Sequence, residues 1–115
     1  MFTSKIKTTA RLLGVPILFA RTRESALTEM RKDPPSLVIF DLNGKGTDPL
    51  GTLAAMHREP QLAAIPTVGF VSHVQADLIE AARQAGVGEV MARSAFTVRL
   101  ADIIKSGHAS ADAER

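Results

Sequence analysis

Two short stretches of the sequence contain residue types that could carry out chemistry. Ser72 is followed by His73, a potential nucleophile beside a potential base. In an extended chain the side chains of consecutive residues project to opposite sides, so a hydrogen bond between the side chains of Ser72 and His73 is not expected. The loop Gly44-Lys45-Gly46-Thr47 is similar to part of a phosphate-binding loop but lacks the full G-x-x-x-x-G-K-S/T spacing. The sequence therefore predicts neither a hydrolase nor a nucleotide-binding enzyme, and we expect no enzymatic activity.

The composition excludes several other kinds of site. The 115 residues include no cysteine, which removes disulfides, thiolate catalysis and cysteine-bound metals. The three histidines, His57, His73 and His108, are too dispersed to predict a metal site. All five aromatic residues are Phe, and the basic residues are scattered around a net charge of +2, so nucleic-acid binding is not expected. Because we find neither a signal peptide nor an apolar run that could cross a bilayer, we expect a cytoplasmic protein without a membrane partner.

Short apolar runs alternate with segments of helical periodicity along the whole chain. The runs predict four buried strands, at Val15–Ala20, Leu37–Phe40, Thr67–Val71 and Glu89–Ala92. Helices are predicted at Phe2–Leu13, between Thr22 and Asp33, from Asp48 through Met56, at Ala76–Ala85 and at Phe96–Lys105, the last with Phe96, Leu100, Ile103 and Ile104 inward. The apolar face of the third helix is predicted at Leu50, Leu53, Ala54 and Met56, and a turn is predicted between Pro60 and Pro66. We expect residues 1–105 to form one domain and the small, polar residues Ser106–Arg115 to form a flexible tail.

Several residues mark where these helices begin and end. Thr22 and Asp48 are expected N-caps, and Pro49 suits the first position of a helix. Gly14 and Gly86 follow two helical patterns at the position where glycine usually ends a helix. Helices that alternate with buried strands predict an α/β fold, a three-layer sandwich in which helices cover both faces of a parallel sheet.

From Gly14 onward the order of these segments resembles the receiver domain of bacterial response regulators, the CheY-like family. The matching segments are GVPILFARTRESAL, PPSLVIFDLN, IPTVGFVSHV and AARQAGVGEVMARSAF. The resemblance implies a flavodoxin-like fold with strand order 2-1-3-4-5 and a site at the carboxyl ends of the strands. The strands predicted here would take positions 2, 3, 4 and 5, and we expect the first strand to lie before Met1.

The resemblance also assigns positions in a phosphoacceptor site. Asp41 falls at the phosphoacceptor position, and the backbone carbonyl of Asn43 falls at a metal-ligand position. The switch Ser/Thr position falls on Ser72, or on Val71 if the spacing from Pro66 is strict. The phosphate-contacting Lys of the family is replaced by Arg93, and the proline that follows it by Ser94, so the site departs from the family pattern.

The acid pair with which the family holds Mg²⁺ has no counterpart in this sequence. Asp41 and Asn43 alone would hold the ion weakly, because one carboxylate and one carbonyl are few ligands for it. We therefore expect no cofactor and a degenerate receiver, or pseudo-receiver, that acts through protein–protein interaction. The resemblance places its partner surface at Arg83, Arg93, Phe96 and Arg99 and names a histidine kinase or an output protein as the kind of partner.

Two alternatives stay open at this point. A working phosphoacceptor, modified at Asp41 in a phosphorelay with Mg²⁺, would need its first strand and acid pair before Met1. A flavodoxin-like binder of a small anionic ligand would use the loops Asp41–Thr47 and Ser72–Gln75. If Met1 is the first residue of the protein, unpaired strand edges favour a homodimer, because such edges pair with other chains.

Overall fold

The computed structural model describes residues 2–44, 46, 48–72 and 75–113, and it describes side chains within 4–105 of these ranges. The residues Lys45, Thr47 and His73, which belong to the two stretches considered for chemistry, lie outside the described residues. In chain order the elements are α1 (Phe2–Leu13), α2 (Arg23–Lys32), β1 (Val38–Asp41), α3 (Pro49–His57), α4 (Pro60–Ala63), β2 (Thr67–Val71), α5 (Ala76–Ala85), β3 (Glu89–Ala92) and α6 (Arg93–Ala113).

The three strands of the described residues form one parallel sheet in the order β1-β2-β3. The register pairs Phe40 with Gly69 between β1 and β2, and Phe70 with Met91 between β2 and β3. Each strand is followed by a helix before the next strand begins, which is the connection that parallel strands require. The fold is therefore the α/β, flavodoxin-like arrangement that the sequence predicts.

Two apolar cores lie on opposite faces of this sheet, because successive side chains of a strand alternate between faces. On one face, Val68, Phe70 and Met91 pack against the inward residues of α1 and α6. On the other face, Phe40 and Val71 pack against the buried residues of α2, α3 and α5. The sheet is thus covered on both sides, which gives three layers. Within the described residues, no helix is both long enough and apolar enough to cross a membrane.

The prediction of a buried strand at Val15–Ala20 is wrong in this structure. The segment is not assigned to any strand, and Ile17, Leu18 and Phe19 are 38%, 68% and 39% exposed. Strand formation needs a neighbour that supplies hydrogen-bond partners, and no described strand lies beside this segment. A cleft of about 1410 Å³ separates it from β1.

The local boundary markers are confirmed. Thr22 accepts a hydrogen bond from the backbone N–H of Ser25 and begins α2 in a capping box. Asp48, although its φ of 46° is left-handed, accepts from the N–H of Gly51 and begins α3 ahead of Pro49. Gly86 ends α5 with a φ of 103°, a backbone conformation that side chains disfavour.

Three details of the helices differ from the prediction. The last helix begins at Arg93, directly after β3, and its backbone stays helical to Ala113, so the predicted end at Lys105 is wrong. No proline interrupts residues 93–113 and Ala recurs along them, so the sequence permits a helix past Lys105 in spite of the low helix propensity of Gly107. A short helix, α4, replaces the turn predicted between Pro60 and Pro66. Ala54, predicted on the apolar face of α3, is exposed.

Candidate functional site

The carboxyl ends of the three strands bring the predicted site residues to one edge of the sheet. β1 ends at Asp41, whose register partner is Phe70, and β2 ends at Val71, whose register partner is Ala92. Because the strands are parallel and in register, the residues that follow them emerge side by side. Asn43, Ser72 and Arg93 therefore stand at the same edge as Asp41.

Asn43 joins two of the loops at this edge. Its Oδ1 accepts a hydrogen bond from the backbone N–H of Ser72 at 2.6 Å, and its Nδ2 donates to Oε1 of Gln75 at 2.8 Å. Both ends of the amide are thus used to tie the loop after β1 to the loop before α5. The sequence prediction brought Asn43 and Ser72 to one site and placed Gln75 in a loop of the alternative anion-binding site, but it did not predict the hydrogen bond between Asn43 and Gln75.

Asp41 is exposed at the end of β1 and forms the turn that follows it. Its Oδ1 accepts from the backbone N–H of Asn43 at 3.0 Å, and its backbone carbonyl accepts from the N–H of Gly44 at 2.9 Å. This is the pattern by which Asp side chains commonly stabilise turns. The carboxylate is therefore placed for reaction at the surface while one of its oxygens supports the backbone.

Arg93 is the first residue of α6 and is exposed. It lines the same large cleft as Asp41 and Gly44. Ser72 is also exposed at this edge and contributes its backbone N–H to Asn43. His73 and Val74, which follow Ser72 in the predicted anion-binding loop, lie outside the described residues.

The described side chains at this edge do not fit a bound Mg²⁺ ion. Mg²⁺ in proteins is held by carboxylates and other oxygens in a near-octahedral set. Here one oxygen of Asp41 accepts a hydrogen bond from the backbone N–H of Asn43, and the second ligand that the resemblance assigns is the backbone carbonyl of Asn43, so the edge supplies one carboxylate and one carbonyl. The described residues hold no group of three His, Asp or Glu side chains that could share a metal ion. No step that depends on the ion is therefore assigned to this edge.

The predicted partner surface lies on α5, β3 and α6 and needs one correction. Arg83 and Arg93 are exposed, as expected, and Nη1 of Arg99 donates to Oε2 of Glu89 at 2.6 Å. This hydrogen bond, with the added attraction of the Glu89 charge, raises the pKa of the Arg99 guanidinium. Phe96, in contrast, is fully buried, so its assignment to the surface is wrong.

The burial of Phe96 follows from the period of α6. Its ring stacks on Phe70 of β2, with centroids 4.7 Å apart, on the face that also carries Leu100, Ile103 and Ile104. The exposed apolar side chain of this helix is instead Val98, at 85% exposure. The exposure of Val98 could have been predicted from the helical period, because a residue two positions from an inward residue points away from the core.

Comparison with known proteins supports the fold. No protein-family model and no curated protein sequence matches the chain. Among solved structures, the chain is similar to a protein from Chloroflexus aurantiacus described as a response regulator, with a TM-score of 0.80 and 20% identity over 93% of this chain and 88% of that one. It is also similar to the receiver domain of NtrX from Brucella abortus, with a TM-score of 0.74 and 19% identity over 89% and 85% of the two chains.

A third similar structure is the phosphorylated cyanobacterial phytochrome response regulator RcpA. Its TM-score is 0.72 and its identity 22%, over 90% of this chain and 81% of that one. The sheet order, the helices on both faces and the polar residues at the carboxyl edge agree with these likenesses. The chain has the fold of the receiver domains of response regulators.

Proposed function

We propose that this chain is a receiver-like signal-transduction module that acts by binding another protein and accepts little or no phosphoryl group at Asp41. The observation that carries this proposal is how the residues at the carboxyl edge are hydrogen-bonded and how few metal ligands they supply. Asp41 and Asn43 are engaged in hydrogen bonds within and between loops, and no group of three acidic or histidine ligands occurs among the described residues.

A divalent cation matters because the phosphoryl group in transfer carries negative charge that must be neutralised as the bond forms. One cationic group at this edge is Arg93, and a guanidinium can bind an anion with two parallel hydrogen bonds. A guanidinium, however, carries a single positive charge, whereas a divalent cation would supply twice that charge to neutralise the phosphoryl group. Arg93 therefore supports anion contact better than phosphoryl transfer.

The partner we propose is a protein of the two-component type, either a histidine kinase or an output protein. The surface we assign to it consists of Arg83, Arg93, Val98 and Arg99 on α5 and α6. An exposed apolar side chain beside guanidinium groups is typical of protein interfaces, in which Arg is enriched. The exposed ion pair between Arg99 and Glu89 joins α6 to β3 within this surface.

The test is intact-mass analysis of the chain after incubation with acetyl phosphate and Mg²⁺. We expect no stoichiometric mass gain in the wild type, while a receiver of known activity in the same buffer gains one phosphoryl group. The matched variants are Asp41→Asn and Asp77→Asn, because Asp77 is an exposed acid in the first turn of α5.

A stoichiometric gain that persists in Asp77→Asn and disappears in Asp41→Asn would contradict the proposal. That outcome would favour the alternative of a working phosphoacceptor at Asp41, the property that the name of the phosphorylated RcpA states for that protein. A gain that survives in both variants would be chemical acetylation or phosphorylation elsewhere and would leave Asp41 unmodified, as proposed.

A further inference from the structure

The two helix layers that cover the sheet differ in charge. The layer of α2, α3, α4 and α5 contains four bases and four acids, which balance. The layer of α1 and α6, counted through Lys105, contains six bases and one acid, Asp102. These bases are Lys5, Lys7, Arg11, Arg93, Arg99 and Lys105. The basic residues are scattered along the sequence, but the fold collects most of their excess charge on one side of the molecule.

The bases of α2 show how the other layer is neutralised. Arg23, Arg31 and Lys32 each form an ion pair with a nearby carboxylate. Among the side chains that the structure describes, Lys5, Lys7 and Arg11 form no ion pair, and α1 itself contains no acid. The positive charge of α1 is therefore not offset by a contact within the chain.

The acid on α6 lies beside another base. Arg99 is paired with Glu89 of β3. The hydrogen bond to Glu89 raises the pKa of Arg99 most, and the nearby charges of Glu89 and Asp102 raise it further. Asp102 is thus close to Arg99, on the part of α6 that faces β3. The excess positive charge of this layer is left on α1.

The side of α1 that faces away from the sheet combines these charges with an apolar side chain. Ile6 and Ala10 are buried against the core. The exposed residues Lys5, Thr8, Arg11 and Leu12 form what we call the outer face of α1. Leu12 is 82% exposed, so almost none of its apolar surface is used in folding.

The stability of α1 does not account for this composition. Lys5 is the fourth residue of the helix, in the first turn, where the helix dipole disfavours a cation. Arg11 is in the last turn, where a cation is favoured, but the neighbouring Leu12 contributes little to the core. Lys5 and Leu12 are therefore the two residues of the outer face that folding leaves unexplained.

From this arrangement we infer that the outer face of α1 binds an acidic, amphipathic helix of another protein. Lys5 and Arg11 are six residues apart, which is about 9 Å along the helix axis. Two carboxylates about two turns apart on a partner helix match this separation, and an apolar side chain beside them would cover Leu12. The inference does not depend on the proposed function, which uses the surface on α5 and α6.

A membrane and a nucleic acid fit the same face less well. A helix that lies on a membrane inserts its whole apolar face into the lipid, but in α1 that face is buried against the sheet through Ile6 and Ala10. A nucleic acid would bring phosphates against Leu12, which offers them no hydrogen bond. A protein interface, in contrast, commonly buries an apolar side chain beside Arg.

The test uses the full chain, labelled with ¹⁵N, and a synthetic alanine-based peptide of about 16 residues, long enough to form a helix. Glu and Leu residues share one face of this peptide. The matched control peptide has the same composition, but its Glu residues lie on the face opposite Leu. We expect the first peptide to shift the amide signals of Lys5, Thr8 and Leu12 selectively and to bind about tenfold more tightly than the control peptide.

Variants of the chain locate the binding site. The double variant Lys5→Glu/Arg11→Glu should weaken peptide binding about tenfold or more, because it replaces attraction by repulsion. The matched control Lys32→Glu/Arg58→Glu changes the net charge equally at exposed positions of the other layer, and its affinity should stay within about twofold of the wild type at physiological salt. Circular dichroism checks the folding of both variants, and the comparison of the two peptides on the wild type needs no variant.

Two results with the wild type would overturn the inference: equal affinity for the two peptides, or no selective shift at Lys5, Thr8 and Leu12 with millimolar peptide. Equal weakening by both double variants would also overturn it, because binding would then follow net charge alone. Phosphatidylserine vesicles and a DNA duplex are titrated in parallel. Tighter binding of either than of the peptide, lost in Lys5→Glu/Arg11→Glu, would assign the outer face to a membrane or a nucleic acid and overturn its assignment to a protein.

Discussion

Among the single residues, Asn43 has the largest structural role at the carboxyl edge, because its amide connects two loops. Replacement by Ala removes the hydrogen bonds to Ser72 and Gln75, which are 2.6 and 2.8 Å long. At roughly 0.5–1.5 kcal/mol each, their loss should lower the free energy of unfolding by about 1–3 kcal/mol, measured in urea. Asn43→Asp keeps the acceptor for Ser72 and loses the donor to Gln75, so it should lose less.

The control for this prediction is Gln84→Ala. Gln84 is exposed on α5 and makes a 3.3 Å hydrogen bond to Glu80 within the same helix, so its removal should change stability little. If Asn43→Ala and Gln84→Ala unfold at the same urea concentration, the loops are not held by the Asn43 amide.

The ion pair Arg31–Glu59 makes the free energy of unfolding depend on pH, and the direction of this dependence follows from the pKa of Glu59. The Arg31 guanidinium donates three hydrogen bonds to Glu59: Nε donates to Oε1 at 3.0 Å and to Oε2 at 3.1 Å, and Nη2 donates to Oε2 at 2.7 Å. The hydrogen bond from Arg31, opposed in part by desolvation, lowers the pKa of Glu59. A lowered pKa in the folded state means that the pair stabilises the fold above the ordinary Glu pKa. This contribution is lost as the pH falls through the lowered value.

We therefore expect Glu59→Gln to be less stable than the wild type at neutral pH and equal to it in acid. Urea midpoints measured for both proteins at a series of pH values from neutral to about 3 give the comparison. Because both partners are at the surface, the difference should be small and should shrink in high salt. A difference that grows as the pH falls would have the wrong sign for this pair.

Among the elements, the contact between α6 and β2 depends on one pair of rings. Phe96 is fully buried and stacked on Phe70, whereas Val98, two residues later on the same helix, is 85% exposed. Phe96→Ala should lower the free energy of unfolding by about 3–5 kcal/mol, because it leaves a cavity against the sheet. Val98→Ala should stay within about 0.5 kcal/mol of the wild type.

The two variants also separate stability from partner binding. If Phe96 belonged to the partner surface, Phe96→Ala would leave the urea midpoint near that of the wild type. A midpoint for Phe96→Ala no lower than that of Val98→Ala would contradict the burial on which the corrected surface depends.

Elements whose signals are local could be predicted from the sequence. Thr22, Asp48 and Gly86 mark helix ends through contacts within a few residues, and the runs Thr67–Val71 and Glu89–Ala92 became strands with the predicted bounds. Val15–Ala20 has an equally apolar pattern, but a strand also needs a neighbour with backbone partners, which the pattern of one segment does not contain. The cleft beside β1 is the result.

The candidate site was predictable to a similar degree. That Asp41, Asn43, Ser72 and Arg93 meet at one edge follows from parallel strands, each with a polar residue after its last apolar one. Their hydrogen bonds do not follow from the sequence. Gln75 meets Asn43 through a contact that joins residues far apart in the chain, and such pairings depend on the packed loops.

At the scale of the whole molecule, the two faces and the two edges of the sheet have different roles. Helices cover both faces with separate apolar cores, so the faces contribute stability. The carboxyl edge carries Asp41 and Arg93, and the open side of β1 carries the cleft. We propose that the chain acts through the surface on α5 and α6, which the apolar cores do not require.

The claim central to this account is that the carboxyl edge does not hold the divalent cation that phosphoryl transfer needs. Titration of the ¹⁵N-labelled chain with Mn²⁺ tests it most directly, because a bound paramagnetic ion broadens the amide signals around it. We predict that Asp41, Leu42 and Asn43 keep the same relative intensity as Val87 and Gly88, which lie next to the amino end of β3. Selective broadening of Asp41–Asn43 in the wild type that is absent in Asp41→Asn would contradict the claim.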